Sequence, residues 1–151
     1  MNIPTFLQFG PKAGLYLKSF ALLIALACLL GSLYFSEIAG FPPCVLCWWQ
    51  RICIYPIVPI LIVGILRKDR STPYYILPLS IIGLGIAFFH NLLYWKIIPE
   101  VAAPCTVGVS CTTRYIEWFG IITIPLLSFL ALLAITATMI VLIKQNHSYE
   151  R

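Results

Sequence analysis

Four long apolar stretches decide what this chain can fold into. They run from about Tyr16 to Phe35, from Trp48 to Leu66, from Tyr74 to Trp95 and from Trp118 to Ile143. Each is near or above the roughly 20 residues that a helix needs to cross about 30 Å of hydrocarbon. No water is available at that depth to satisfy backbone N–H and C=O groups, so each stretch must close its own hydrogen bonds as a helix. The expectation is an all-α membrane protein, a single four-transmembrane-helix bundle over residues 1–151, with the lipid bilayer as its solvent. Charge agrees: only 10% of residues are Asp, Glu, Lys or Arg, against about 25% in a soluble domain. A water-facing surface cannot be built from so few. Pro56, Pro59, Pro78 and Pro125 fall within the spans and predict bends, which helices packed in a bilayer tolerate.

Lys12 and Lys18, at the start of the first span, resemble the charged segment of a cleaved leader. The span is longer than the about 7–15 residues of a leader's apolar core, and GSLYFSEIAG offers only a weak small-residue cleavage site. It is read as a retained helix. Orientation follows from the basic residues in short loops. Lys12, Lys18, Arg67, Lys68, Arg70, Lys144 and Arg151 share one side. The other side holds Lys96, Arg114 and Arg51, balanced by Glu37, Glu100 and Glu117. Both termini and the RKDRST loop are therefore expected to be cytoplasmic, with the loops at about 36–47 and 96–117 facing outward from the plasma membrane. No basic stripe interleaved with surface aromatics is present, so the net charge of +5 does not point to nucleic acid.

The six cysteines sort by this topology. Cys44 and Cys47, in FPPCVLCWWQR, sit at the outer end of the second span. Cys105 and Cys111, in VAAPCTVGVSC, sit in the second outer loop. All four fall on the oxidising side, where disulfides persist. Cys28 and Cys53 lie within spans and are read as small apolar packing residues. As a structural staple, a Cys105–Cys111 bridge would contribute at most about 2.4 kcal/mol by chain entropy, and less between helices already anchored in lipid. A CxxC bridge closes a still shorter ring. A four-thiolate zinc site would favour a second pair spaced like the first, so no metal is expected.

Reactivity is the better explanation. Pro42 and Pro43 cannot continue a helix from upstream, but proline suits helix starts. The CxxC then occupies the first turn of the second helix, at the positive end of its dipole, a setting that promotes thiolate. Arg51, four residues beyond Cys47, projects on the same face and is read as a cation able to stabilise a thiolate or the developing anion of an electron acceptor. His90, in FFHNLLYW, lies about one and a half turns inside the outer end of the third span, close to the depth of Arg51. Ionisable groups within spans are functional candidates. The tryptophans Trp48, Trp49, Trp95 and Trp118 mark outer span ends and are read as an aromatic belt. Two dithiols exchanging with each other conserve disulfides, so net oxidation requires an acceptor for the electrons. At the bilayer edge, a lipid-soluble quinone fits.

PPCVLCWWQR, with arginine four residues after the second cysteine, resembles the quinone-dependent DsbB family of disulfide-formation proteins. PCTVGVSCTTRYIEWFGIITIP, preceded by FHNLLYW, looks like its BdbC branch. The resemblance extends over all four spans. It implies a thiol oxidase that reoxidises an extracytoplasmic thioredoxin-like partner of the DsbA/BdbD type. The partner attacks a Cys105–Cys111 disulfide and is held at Cys105; Cys111 passes to Cys44; Cys47 faces the membrane quinone pool, menaquinone or ubiquinone, with Arg51 and His90 assisting. In the DsbB branch the two loop cysteines are farther apart than here. Vitamin K epoxide reductase-type enzymes place the CxxC near a later span, the reverse of this order. The non-enzymatic alternative, a tetraspan scaffold with disulfide-braced outer loops, has no need of Arg51 or His90 beside the CxxC.

Overall fold

The computed structural model describes residues 11–99, 110–112 and 123–149. Within them lie α1 (Pro11–Leu33), α2 (Val45–Ile54), α3 (Ile57–Leu66), α4 (Thr72–Tyr94) and α5 (Ile124–Tyr149), and no strand. α2 and α3 together make one span, giving four apolar segments of 26, 22, 23 and 24 residues. At 1.5 Å per residue each is long enough to cross a bilayer. The expected fold class holds. Trp118 and the beginning of the expected fourth span lie outside the described residues, as do Lys12's side chain, Glu100, Arg114, Glu117 and Arg151.

The prolines act in different ways. Pro56 divides the second span: α2 ends at Ile54, and Pro56 caps α3. Proline has no N–H to give the carbonyl four residues back, and its ring crowds that carbonyl. Pro78 stays inside α4, and Pro125 falls in the first turn of α5, where its missing donor costs nothing.

Ala21 and Ala25 of α1, Ile57, Val58 and Leu61 of α3, Ile76 of α4 and Ile135, Met139 and Leu142 of α5 form the main core. Higher up, α4 meets α2 and α5 at Gly83. A Cβ there would stand 3.0 Å from Cys53 Cβ and 3.1 Å from a Leu132 methyl, so the close approach favours glycine. Cys53 is buried and Cys28 half-buried in these apolar contacts, as the packing reading expects. Leu23, Ile52, Leu66 and Ile82 are more than half exposed on the bundle's outer surface. In a soluble protein that would be a liability; in lipid it is the solvent-matched face.

The two ends of the bundle differ. At one, the Arg67–Arg70 turn is tied down from both sides. Lys18 Nζ donates to the Asp69 carbonyl, Thr72 Oγ1 donates to the same oxygen at 2.7 Å, and Asn146 Nδ2 donates to the Arg70 carbonyl at 2.8 Å. At the other end, α1 loosens into a π-helical turn, Tyr34–Ile38. Gly40 then adopts φ +69°, a left-handed conformation that glycine takes without strain. The rings of Phe35 and Phe41 stack at 6.3 Å, and the chain re-enters the bundle at Cys44.

Candidate redox-active site

Cys44 is the N-cap of α2, with φ −71° and ψ 169°. Its Sγ accepts from the Cys47 backbone N–H at 3.3 Å, in the manner of a capping oxygen. The helix therefore starts at Val45, three residues before the Trp48 start that hydropathy suggests, and Pro42 and Pro43 precede the cap rather than entering the first turn. The Cys44 and Cys47 sulfurs are 2.7 Å apart, longer than the about 2.05 Å of a disulfide, and both thiols are free.

His90 reaches this pair from α4. It is 3% exposed, with Nε2 3.8 Å from Cys44 Sγ and 3.1 Å from the carbonyl oxygen of Cys111. A carbonyl only accepts, so Nε2 carries a proton and donates. On the ring's other side, Nδ1 is 3.1 Å from Gln50 Nε2, and Gln50 Oε1 accepts from Ser128 Oγ of α5 at 2.6 Å. Cys111 is buried and disulfide-bonded. It shares an apolar cluster with Cys44, Leu46 and Leu93. Cys105 lies outside the described residues.

These contacts act on Cys44. Its pKa is lowered to about 4, first by the hydrogen bond from the Cys47 thiol; burial opposes this, and His90 adds a hydrogen bond. Cys44 Sγ accepts from the Cys47 N–H and faces His90 Nε2, so it is the sulfur of the pair placed to carry negative charge.

Arg51 faces elsewhere. Its Nη2 donates to the Ser32 carbonyl of α1 at 3.0 Å, and its guanidinium lies 5.2 Å from the Trp48 ring centroid, a cation–π distance. Its charge acts on Cys47. The structure thus brings Cys44, Cys47, His90 and Cys111 together and sets Arg51 on the far flank, next to the exposed ring of Trp48.

Cys44, Cys47 and His90 offer ligand atoms within 4.8 Å of one another. Two thiolates on one tetrahedral zinc stand about 3.8 Å apart, whereas these sulfurs are at 2.7 Å, and His90 Nε2 already donates to a carbonyl. The geometry suits sulfur–sulfur exchange.

The family model for disulfide bond formation protein DsbB matches residues 16–142. The chain belongs to the DsbB family. Among curated relatives of this DsbB-family protein, disulfide bond formation protein C of Bacillus subtilis is 46% identical over 121 residues, covering 79% of this chain and 86% of the relative. Probable disulfide formation protein C of Halalkalibacterium halodurans is 43% identical over 124 residues, covering 82% and 90%. A third, the SPbeta prophage-derived disulfide bond formation protein B of B. subtilis, is 44% identical over 117 residues, 75% of this chain and 78% of its own. No solved structure is significantly similar to the chain.

Sequence reading of this DsbB-family protein singled out its thiols and its ionisable residues but passed over Gln50, Ser128 and Ser32. All three are neutral polar side chains in apolar helices. The available signal was their rarity there: within hydrocarbon, such groups hydrogen-bond across helices.

Proposed function

We propose that this protein is a membrane thiol:quinone oxidoreductase that reoxidises an extracytoplasmic thioredoxin-like protein of the DsbA/BdbD type. The observation that carries the reading is the convergence of Cys44 and the disulfide-bonded Cys111 on His90 Nε2. It brings a CxxC and an oxidised loop sulfur together at one end of a membrane bundle. A scaffold braced by disulfides has no use for a low-pKa thiolate beside a buried histidine.

In this reading the reduced partner attacks a Cys105–Cys111 disulfide, forms a mixed disulfide at Cys105, and leaves oxidised when its second thiolate resolves that bond. The loop dithiol then exchanges with a Cys44–Cys47 disulfide: Cys111 attacks Cys44, Cys105 closes back onto Cys111, and the CxxC is left reduced. The described state, with Cys111 bridged and the CxxC thiols free, corresponds to this point. Cys44 thiolate closes onto Cys47 sulfur as the electron pair leaves through Cys47. His90 Nε2–H stabilises the negative charge on Cys44 throughout.

Arg51 suits an acceptor's carbonyl oxygen: it is a guanidinium with one N–H spent on Ser32, set against an indole face at the lipid surface. Bound there, a quinone supplies the sink for an electron pair and the protons released by two thiols. Arg51 would hold it, and Trp48 would flank it. The basic residues clustered at the opposite end support an orientation with the redox end outside the plasma membrane.

Purified protein, given a reduced thioredoxin-like donor and a soluble menaquinone or ubiquinone analogue, should oxidise donor thiols and reduce quinone in equal amounts. Donor oxidation that proceeds equally well without quinone, or no oxidation at all, would sink the reading.

A further inference from the structure

Gln50 and Ser128 touch neither a sulfur nor the proposed acceptor, yet together they decide what His90 can do. Gln50 is 5% exposed and bonds through both ends of its amide. Its oxygen accepts from Ser128 Oγ at 2.6 Å, and its nitrogen faces His90 Nδ1 at 3.1 Å. Ser128 has one proton and two acceptors in range, Gln50 Oε1 and the Pro125 carbonyl at 3.0 Å. The bond to Gln50 is the shorter and takes the proton, while the Pro125 carbonyl is also served by Asn91 Nδ2 at 2.9 Å. With its oxygen committed, Gln50 can only donate to Nδ1. Nδ1 then carries a lone pair, and the ring's single proton sits on Nε2.

We propose that Gln50, anchored by Ser128, is a positioning residue that keeps His90 a neutral imidazole with its proton on Nε2, aimed at Cys44 and the Cys111 carbonyl. His90 is thereby a hydrogen-bond donor to the Cys44 thiolate and not the base that takes its proton. The chain Ser128–Gln50–His90–Cys44 ties α5, α2 and α4 to one sulfur. The titratable groups facing His90 are Cys44 and Cys47 from the start of α2. α5 presents Ser128, and the outer loop presents the backbone of disulfide-bonded Cys111. Arg51 is turned away toward Ser32, and no carboxylate is among the described partners of the ring. Protonating Nδ1 would require the Gln50 amide to turn over and present its oxygen. Ser128 would then have to exchange its 2.6 Å bond to Gln50 for the longer 3.0 Å contact with the Pro125 carbonyl. The hydrogen bonds around the ring therefore favour the lone pair on Nδ1.

This inference rests on the disulfide-relay reading for its consequence in turnover, but the ring state can be measured without donor or quinone. The full chain carrying His147→Gln, in detergent and labelled with ¹⁵N-histidine, leaves His90 as the single histidine. Its spectrum at neutral pH should show a pyridine-type Nδ1 and a pyrrole-type Nε2. Gln50→Glu supplies a carboxylate that only accepts, and both nitrogens should become pyrrole-type. Gln50→Leu and Ser128→Ala should each mix the ring states and slow transfer from loop dithiol to CxxC. The Gln50→Leu loss should reach about tenfold, the scale of one hydrogen bond to a charged group, with quinone KM unchanged. Ser128→Thr, which keeps the hydroxyl, should restore both. A pyridine-type Nε2 in the parent protein would overturn the proposal. So would a spectrum and transfer rate indifferent to Ser128→Ala and Gln50→Leu alike. A parent protein with the expected ring state but no quinone-coupled turnover would instead refute the relay.

Discussion

Cys44 and Cys111 meet on a single nitrogen: His90 Nε2 lies 3.8 Å from the Cys44 sulfur and 3.1 Å from the Cys111 carbonyl oxygen. The loop cysteines are closely spaced in sequence, and a short loop has little reach. The structure needs none, because Cys111 is already packed beside Cys44 and Leu93. Proximity here does the work that a long mobile segment would otherwise do.

The first prediction concerns pH. Cys44, with its pKa lowered from an ordinary 9.0 to about 4, should react with a small neutral alkylating reagent at a rate that is level across neutral pH. The rate should fall only as the medium drops through about 4. The sign for stability follows: a depressed pKa favours the folded dithiol fully above 9.0, less as pH falls, and not at all below about 4. Mass-spectrometric alkylation of the reduced protein checks it. A rate that rises toward pH 9 would mean an ordinary thiol. His90→Phe should move the midpoint upward.

Trapping tests the order of exchange. An exchange intermediate persists when its resolving thiol is removed. Cys111→Ser should therefore accumulate a dithiothreitol-sensitive adduct with a thioredoxin-like partner that lacks its own resolving cysteine. Adding Cys105→Ser should abolish the adduct, whereas Cys28→Ser and Cys53→Ser should leave it and net oxidation near normal. Capture through Cys44 or Cys47 instead would remove the loop pair from the pathway.

For Arg51, the readout is quinone kinetics. Arg51→Ala should raise the quinone KM or lower turnover by about tenfold, as expected for loss of a charged hydrogen-bond donor. Arg51→Lys should fall between, since a point charge remains but the planar fork is lost. The Cys44 alkylation profile should barely change in either variant, because Arg51 contacts Ser32 and Trp48 and not Cys44. Unaltered quinone kinetics would leave Arg51 a packing residue at the lipid surface.

Topology can be read chemically. After reduction, a membrane-impermeant thiol reagent applied to intact cells should label Cys44, Cys47, Cys105 and Cys111 more readily than Cys28 or Cys53. Labelling of the CxxC only in inverted vesicles would reverse the orientation and place the redox end in the reducing compartment.

Much of the architecture was legible because lipid leaves a chain few choices: a long uncharged run must be a helix, and Tyr74 to Trp95 maps almost residue for residue onto α4. Cys44, Cys47, Arg51 and His90 stood out as thiols and charges where neither is common. Boundaries were less legible. α2 begins at Val45 because a cysteine sulfur caps it, which hydropathy does not register. Pro56 could be read as a bend but not as the point where the helix hydrogen-bond ladder is interrupted. Gln50 and Ser128 were passed over for a different reason. They are neutral, and their partnership spans 78 residues of sequence, so it exists only once the helices are packed.

The interruption at Pro56 has a mechanical side. Below it, Ile57 and Leu61 are wholly buried, and α3 is keyed into the deepest packing of the molecule. Above it, the ten-residue α2 carries Cys47, Gln50 and Arg51, with Cys44 at its cap. Tyr55 and Pro56 keep helical dihedrals, so α2 and α3 run on as one rod with a gap in its hydrogen-bond ladder. The sulfurs thus ride at the tip of a shaft whose other end is anchored in the core.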